Sequence, residues 1–351
     1  MYAYGKSWGD AQWRIALSIQ AVPGLVLLAA VHSVPASPRW LVLVGREKEA
    51  HGVVALLRNI SEDDPSVAAE VAGIVEELGA EGLRSSGEGK DVTSLASWAS
   101  RFQGLFRVGA LKRTIAVCAV QFFQQWSGIN AILYFAAALF LRAGVSKDTA
   151  STSLVVGNAA LLVAGTIPGM WAVDKESIGR RRLLLWGSLA MAVCHAFIAA
   201  LVFMAEAAEA GTARADALSY SAVASMFAFT FFFSATWGPV AWVLSSEVFD
   251  LKVRAQGVAL GTVFNWASNA IIGKVTPLLF EAVGGLTFLL FCFFCLASFF
   301  YVYAFIPETA GVALEDMALV FKEGAAESVR TLVKSYQDNG DSEQLGLTEK
   351  D

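Results

Sequence analysis

Charge is the first thing this sequence is short of. Only 16% of its 351 residues are Asp, Glu, Lys or Arg, where a soluble globular chain carries about a quarter. The deficit is concentrated in long uncharged blocks with charged stretches between them, which is how a chain reads when part of its solvent is lipid. Basic residues are too few for a nucleic-acid partner: 26 Lys and Arg against 31 Asp and Glu leave a net charge of -5, and no basic face stands out. Histidine is scarcer still. His32, His51 and His195 stand apart, no nucleophile–base pair or metal cluster is visible, and neither an enzyme nor a cofactor is implied. The four cysteines (Cys118, Cys194, Cys292 and Cys295) lie in apolar blocks. Cys292-Phe-Phe-Cys295 has CxxC spacing without a second pair, so these read as packed thiols.

What the chain has in quantity is hydrophobic length. It is 56% hydrophobic, with a mean hydropathy of +0.55. Seven segments reach the roughly 20 apolar residues that a helix needs to cross a bilayer about 30 Å thick: 15–34, 115–141, 152–173, 183–205, 218–244, 256–280 and 286–306. None alternates as a barrel strand does. The first is too long for a signal peptide, and Ser33-Val34-Pro35 is a poor cleavage site. If spans alternate, the segments 35–114, 174–182, 245–255 and 307–351 share one side and hold 20 of the 26 basic residues. The positive-inside bias makes that side cytoplasmic, with the N-terminus outside and the C-terminus inside. The chain therefore divides into an extracellular start with the first span (1–44), a cytoplasmic helical insert (45–113), a six-helix lobe (114–306) and a cytoplasmic tail (307–351).

Within the insert, Asp64-Pro65 is a helix-start signal. Val67, Val71, Ile74, Val75 and Leu78 follow at helical spacing, with Glu70, Glu76 and Glu77 opposite. A further helix is expected over 47–59, and Ser85–Gly89 reads as a flexible break. The insert is expected to lie as short amphipathic helices against the cytoplasmic span ends. The tail from Gly324 is polar and is expected to be disordered beyond Tyr336.

Three constellations carry candidate chemistry. Gln121, Gln124 and Gln125 stand at i, i+3 and i+4 and share a helix face, followed by Ser127, Gly128, Asn130 and Tyr134. Asn130 is about 140° from Gln125 on an ideal helix, so it reaches the same space only if the helix unwinds at Ser127-Gly128. Amides both donate and accept, which suits a neutral polyhydroxyl ligand at a discontinuous helix. Bonds between neighbouring helices are the plainer explanation and stay open. Trp237-Gly238-Pro239 breaks a later span, with Trp242 one turn beyond offering an aromatic face; Asn265 and Asn269 add amides at i and i+4. Finally Ser37-Pro38-Arg39, Asp174 with Arg180 and Arg181, Glu247 with Arg254, and Pro307-Glu308 recur at four cytoplasmic helix ends. Each pair alone is worth about 0–1 kcal/mol if exposed; their recurrence favours a network.

Together these residues resemble the sugar porter family of the major facilitator superfamily, and the filler is similar to its fungal members. Ser-Pro-Arg-Trp-Leu at 37–41 is similar to the PESPRxL element, Gln124–Asn130 to QQxSGxN, Gly179-Arg180-Arg181 to the end of DxxGRR, and Pro307–Gly311 to PETKG. Gly238-Pro239, Trp242, Glu247, Arg254 and Asn265-Trp266 fall in order between them, so the likeness runs from about residue 10 to 325. It implies an all-α membrane protein with a partial major facilitator fold: one helix of the first lobe, the six-helix second lobe and short cytoplasmic amphipathic helices. It further implies transport of a sugar, a monosaccharide by this reading, by alternating access in the plasma membrane, with proton coupling left open. Gln124, Gln125, Asn130, Trp242 and Asn265 would touch the sugar, Tyr134 would belong to an outer gate, and Arg39, Asp174, Arg180, Arg181, Glu247, Arg254 and Glu308 would form a cytoplasmic lock. The bilayer is the expected partner, together with a missing first lobe or a full-length homologue, because spans one to five lack counterparts and the chain reads as N-terminally truncated. A sugar sensor and a non-transporting half-transporter are the alternatives. Departures from the pattern are Leu162 for a frequent Asn (with Asn158 one turn away), Phe135 for Tyr, two extra residues between Asp174 and Gly179, and Ala36, Asp250 and Ala310 for Glu, Pro and Lys.

Overall fold

A computed structural model of the chain describes residues 11–80, 95–142, 154–175, 178–209, 211–312, 317, 320 and 321. The expected break at 85–89 and the tail beyond 324 lie outside these. Every regular element among the described residues is helical: α1 (Ala11–Ile19), α2 (Ala21–Val31), α3 (Pro38–Leu43), α4 (Glu47–Arg58), α5 (Pro65–Ala80), α6 (Leu95–Gly104), α7 (Val108–Trp126), α8 (Ile129–Arg142), α9 (Leu154–Val173), α10 (Arg180–Ala207), α11 (Ala213–Ala235), α12 (Trp237–Glu247), α13 (Leu251–Val283) and α14 (Thr287–Phe305). The chain forms two compact units, Met1–Ser100 and Arg101–Asp351.

In the first unit, the apolar stretch expected as one span is two consecutive helices meeting at Gln20. Pro23 explains the interruption: it has no N–H to give the carbonyl of Ile19, so the ladder fails there. Helix α2 buries none of its side chains. Helices α3, α4 and α5 pack together around Leu41, Val42, Val54, Val67, Val71 and Leu78, all buried. Pro65 occupies the first turn of α5, and Asp64 Oδ1 accepts from the N–H and hydroxyl of Ser66 at 2.9 and 2.7 Å. Those bonds favour the ionised carboxylate and hold it below the usual aspartate value. Asn59, in the left-handed region at φ 53°, closes α4.

Among the described residues of the second unit, four helical stretches are long and apolar enough to cross a membrane: Leu154–Val173, Arg180–Ala207, Ala213–Glu247 and Val253–Phe305. Helix α10 packs on α11 and α14, α9 on α11, and α7 on α13. The core mixes aromatic and aliphatic side chains, with Phe229, Trp237, Phe288 and Phe291 fully buried beside Leu184, Met191 and Ile198. Helices α9 and α11 approach closely because Gly165 and Gly169 present no side chain. A Cβ on Gly165 would sit 2.1 Å from Ser234 Oγ, and one on Gly169 2.6 Å from Ala235 O.

Two interruptions position the site. At Ser127-Gly128, α7 stops and α8 begins, with Gly128 at φ 90°. Between α11 and α12 the backbone leaves helical geometry at Thr236 (φ -128°, ψ -84°), three residues before Pro239. The proline was expected to mark the break itself. It lies instead in the first turn of α12, where an N–H has no helical partner to lose, and its ring displaces the carbonyl four residues upstream.

Candidate functional site

The amides converge. The unwinding at Gly128 brings Asn130 beside Gln125, and its Nδ2 donates to Gln125 Oε1. Gln125 Nε2 donates to Asn265 Oδ1 at 2.8 Å. Asn265 Nδ2 in turn reaches Gln121 Oε1 and Gln124 Oε1, both at 2.7 Å. Gln124 Nε2 lies 3.0 Å from Trp237 O and 3.1 Å from Gly238 O, at the interrupted start of α12. Gln121 Nε2 lies 3.0 Å from Ser245 Oγ, two residues before the end of α12. Five amides thus form one chain across α7, α8, α12 and α13. All are buried except Asn130, which is half-buried. One turn further along α13, Asn269 Nδ2 donates to Tyr134 Oη at 3.0 Å, and the Tyr134 ring is 55% exposed. Trp242 is not brought into the chain and is 41% exposed. Asn158, one turn from Leu162, is buried and accepts from the Thr230 hydroxyl at 2.7 Å, a bond between α9 and α11.

At the other end of the second unit the charged residues form a compact cluster. Glu308 caps α10: its Oε1 accepts from Arg180 N at 2.8 Å and its Oε2 from Arg181 N at 3.1 Å, with Thr309 N and Ala310 N adding bonds at 3.0 and 3.1 Å. An anion at a helix N-terminus satisfies donors the helix leaves open. Gly179 makes the approach possible, since it sits at φ 73° and a Cβ there would lie 2.2 Å from Glu308 Oε2. Arg180 Nη2 pairs with Glu247 Oε1 at 2.8 Å, and Thr309 Oγ1 donates to Glu247 Oε2 at 3.3 Å. Arg181 Nη2 donates to Tyr303 O at 2.8 Å, and Arg254 Nε to Phe249 O at 3.1 Å. Asp174 is exposed, with no ion-pair partner among the described residues. Arg39 lies in the first turn of α3, in the first unit.

One pair escaped the sequence reading. Arg113, near the start of α7, is 4% exposed and grips Asp250 with two bonds of 2.6 and 2.9 Å, while Nη1 also reaches Val248 O at 3.2 Å. The available signal was Asp250 itself, a carboxylate at a position where the sugar porter pattern has proline.

A family model described as "Sugar (and other) transporter" matches residues 1–321. The chain belongs to this family. Among its relatives, the low-affinity glucose transporter HXT4 of Saccharomyces cerevisiae is 33% identical over 325 residues, which cover 90% of this chain and 52% of HXT4. The probable metabolite transport protein CsbC of Bacillus subtilis is 31% identical, covering 89% of this chain and 61% of CsbC. Among solved structures, the proton:xylose symporter XylE bound to 6-bromo-6-deoxy-D-glucose superposes with a TM-score of 0.68 at 24% identity, over 90% of this chain and 61% of that one. The partially occluded inward open conformation of the xylose transporter XylE from E. coli gives 0.61 at 23%, over 87% and 58%. The chain spans about half the length of the first of these relatives. It is an all-α, multi-pass integral membrane protein of a transporter family, not an enzyme.

Proposed function

We propose that this chain carries the sugar-binding lobe of a transmembrane transporter for a monosaccharide that works by alternating access. The observation that supports this reading best is the chain of five amides, built where two membrane helices are interrupted and left open at Asn130. Amides at membrane depth are costly unless paired or facing a cavity, and a sugar hydroxyl can exchange for one of these bonds because it offers both donor and acceptor. In this proposal Gln124, Gln125, Asn130 and Asn265 form the polar wall, Trp242 supplies an aromatic face, and Tyr134 with Asn269 forms the outer gate. Arg39, Asp174, Arg180, Arg181, Glu247, Arg254 and Glu308 form an inner lock that opens with the cytoplasmic side. The layout is seven spans with the N-terminus outside, the tail and the short helices α3–α5 in the cytoplasm, and the plasma membrane as location. The relatives' extra length points to a further lobe, in the same chain or another, as the opposite wall of the cavity.

Radiolabelled hexose uptake in a host lacking its own hexose transporters tests the reading, with a longer chain bearing the missing spans as the positive arm. We expect Gln125→Ala and Asn130→Ala each to lower uptake at least about tenfold, roughly the worth of a buried hydrogen bond left unpaired, while surface expression is kept. Normal uptake kinetics in both variants would overturn the site assignment. Binding without flux in every form would favour a sensor or a regulatory half-transporter. Repeating uptake with and without an uncoupler assigns proton coupling.

A further inference from the structure

Helix α10 sends one ionisable side chain into the aromatic core. His195 is fully buried, with ring centroids of Phe229, Phe291 and Phe288 at 4.4, 5.7 and 5.9 Å. Its Nε2 lies 2.8 Å from Ser127 O. A carbonyl oxygen carries no proton, so the nitrogen facing it holds the hydrogen and donates. The other nitrogen, Nδ1, is buried without a hydrogen-bond partner among the described residues, which matches a neutral ring fixed in one tautomer.

The acceptor is what matters. Ser127 ends α7, and the positive φ of Gly128 takes the next residues out of line, so this carbonyl is freed from the helical ladder in the middle of the unit. Cys295 Sγ, at 3.9 Å, adds only a weak bond. His195 is therefore the strong side-chain donor on the break that swings Asn130 toward Gln125. We infer that His195 is a positioning residue of the sugar site: its Nε2–H clasps the α7–α8 break and so sets the register of Asn130 against Gln125. The clasp stands on geometry; its consequence for sugar rests on the function proposed above.

The test uses the full chain in lipid nanodiscs, with two donor-free replacements, His195→Phe and His195→Met, and one that keeps a donor at similar reach, His195→Gln. Either donor-free variant that stays monodisperse carries the experiment. Hydrogen exchange over residues 127–132 is expected to speed up about tenfold in the donor-free variants and to stay within twofold of wild type in His195→Gln. Labelled D-glucose binding is expected to weaken in the same order. Unchanged exchange at the break, or a His195→Gln variant as impaired as the donor-free ones, overturns the clasp. Wild-type glucose binding that the donor-free variants match overturns the positioning role. Altered exchange with no wild-type glucose binding overturns the sugar-site reading and, with it, the consequence for sugar, and leaves the clasp standing.

Discussion

Gly128 turns the chain out of one helix and into the next because it alone can occupy φ 90° without strain, and because Phe291 leaves no room for a side chain. A Cβ there would lie 2.8 Å from Phe291 Cγ. Gly128→Ala is expected to lower stability by about 1–3 kcal/mol, read as a drop in the midpoint of thermal unfolding in detergent. The same substitution at Gly109, which has nothing within 4 Å, should leave that midpoint within a degree or two. Asp64 makes a second residue-scale case, governed by charge. Its folded value lies below the ordinary 3.8 because Ser66 donates twice to it. A depressed value means the stabilisation is complete above the unfolded value and is lost as pH falls through the folded one. The first turn of α5 should therefore stay protected at pH 6 and open below the usual aspartate range. Amide exchange at Ser66 and Val67, corrected for intrinsic rates, measures this. Asp64→Ala should remove the difference between pH 6 and pH 3, and a difference of the same size in that variant would refute the assignment.

Helix α9 shows how elements are joined where hydrophobicity cannot do it. Lipid is as apolar as leucine, so association depends on close packing and on polar bonds. Gly165 and Gly169 provide the first and the Asn158–Thr230 bond the second. Gly165→Leu should push α9 off α11. Expected is a loss of about 1–3 kcal/mol from overpacking, read as earlier thermal unfolding, together with slower disulfide formation between cysteines introduced at facing positions of α9 and α11. The extent of each element was legible to different degrees. The helices of the second unit follow from apolar length, and the break at Ser127-Gly128 follows from the need to align Asn130 with Gln125. The interruption falls at Thr236, just ahead of the Trp237-Gly238-Pro239 stretch that the sequence points to, because proline in a first turn disturbs the turn behind it. The first apolar segment was read as continuous because hydropathy is blind to the missing N–H of Pro23. For Arg113–Asp250 the sequence shows only half of the pair, the carboxylate in place of a proline at Asp250, because its partner lies 137 residues away. His195 was set aside as isolated, since a helix-break carbonyl as its partner has no sequence signature.

At the scale of the molecule, the polar groups sort into two clusters within the second unit. One is neutral and lies at the helix interruptions; the other is charged and lies where α10, α12 and the segment after α14 meet. The neutral cluster has a sense of travel. Each amide gives its N–H to the next: Asn130 to Gln125, Gln125 to Asn265, Asn265 to Gln124 and Gln121, and these to backbone carbonyls and Ser245. Every dipole points the same way, and bonds in such a series reinforce one another by about 10–30% each. At its half-buried end Asn130 keeps its carbonyl oxygen and the second hydrogen of its Nδ2, and turning that amide over would force each successor to turn as well. In the proposed function a sugar hydroxyl that donates to the Asn130 carbonyl oxygen extends the polarised line, whereas a group that only accepts is left to the remaining Asn130 N–H beside it. Replacing a single sugar hydroxyl by fluorine, which accepts but cannot donate, should therefore weaken competition at one ring position far more than at the others, and a set of monofluorinated hexoses that compete equally would show that the line has no sign.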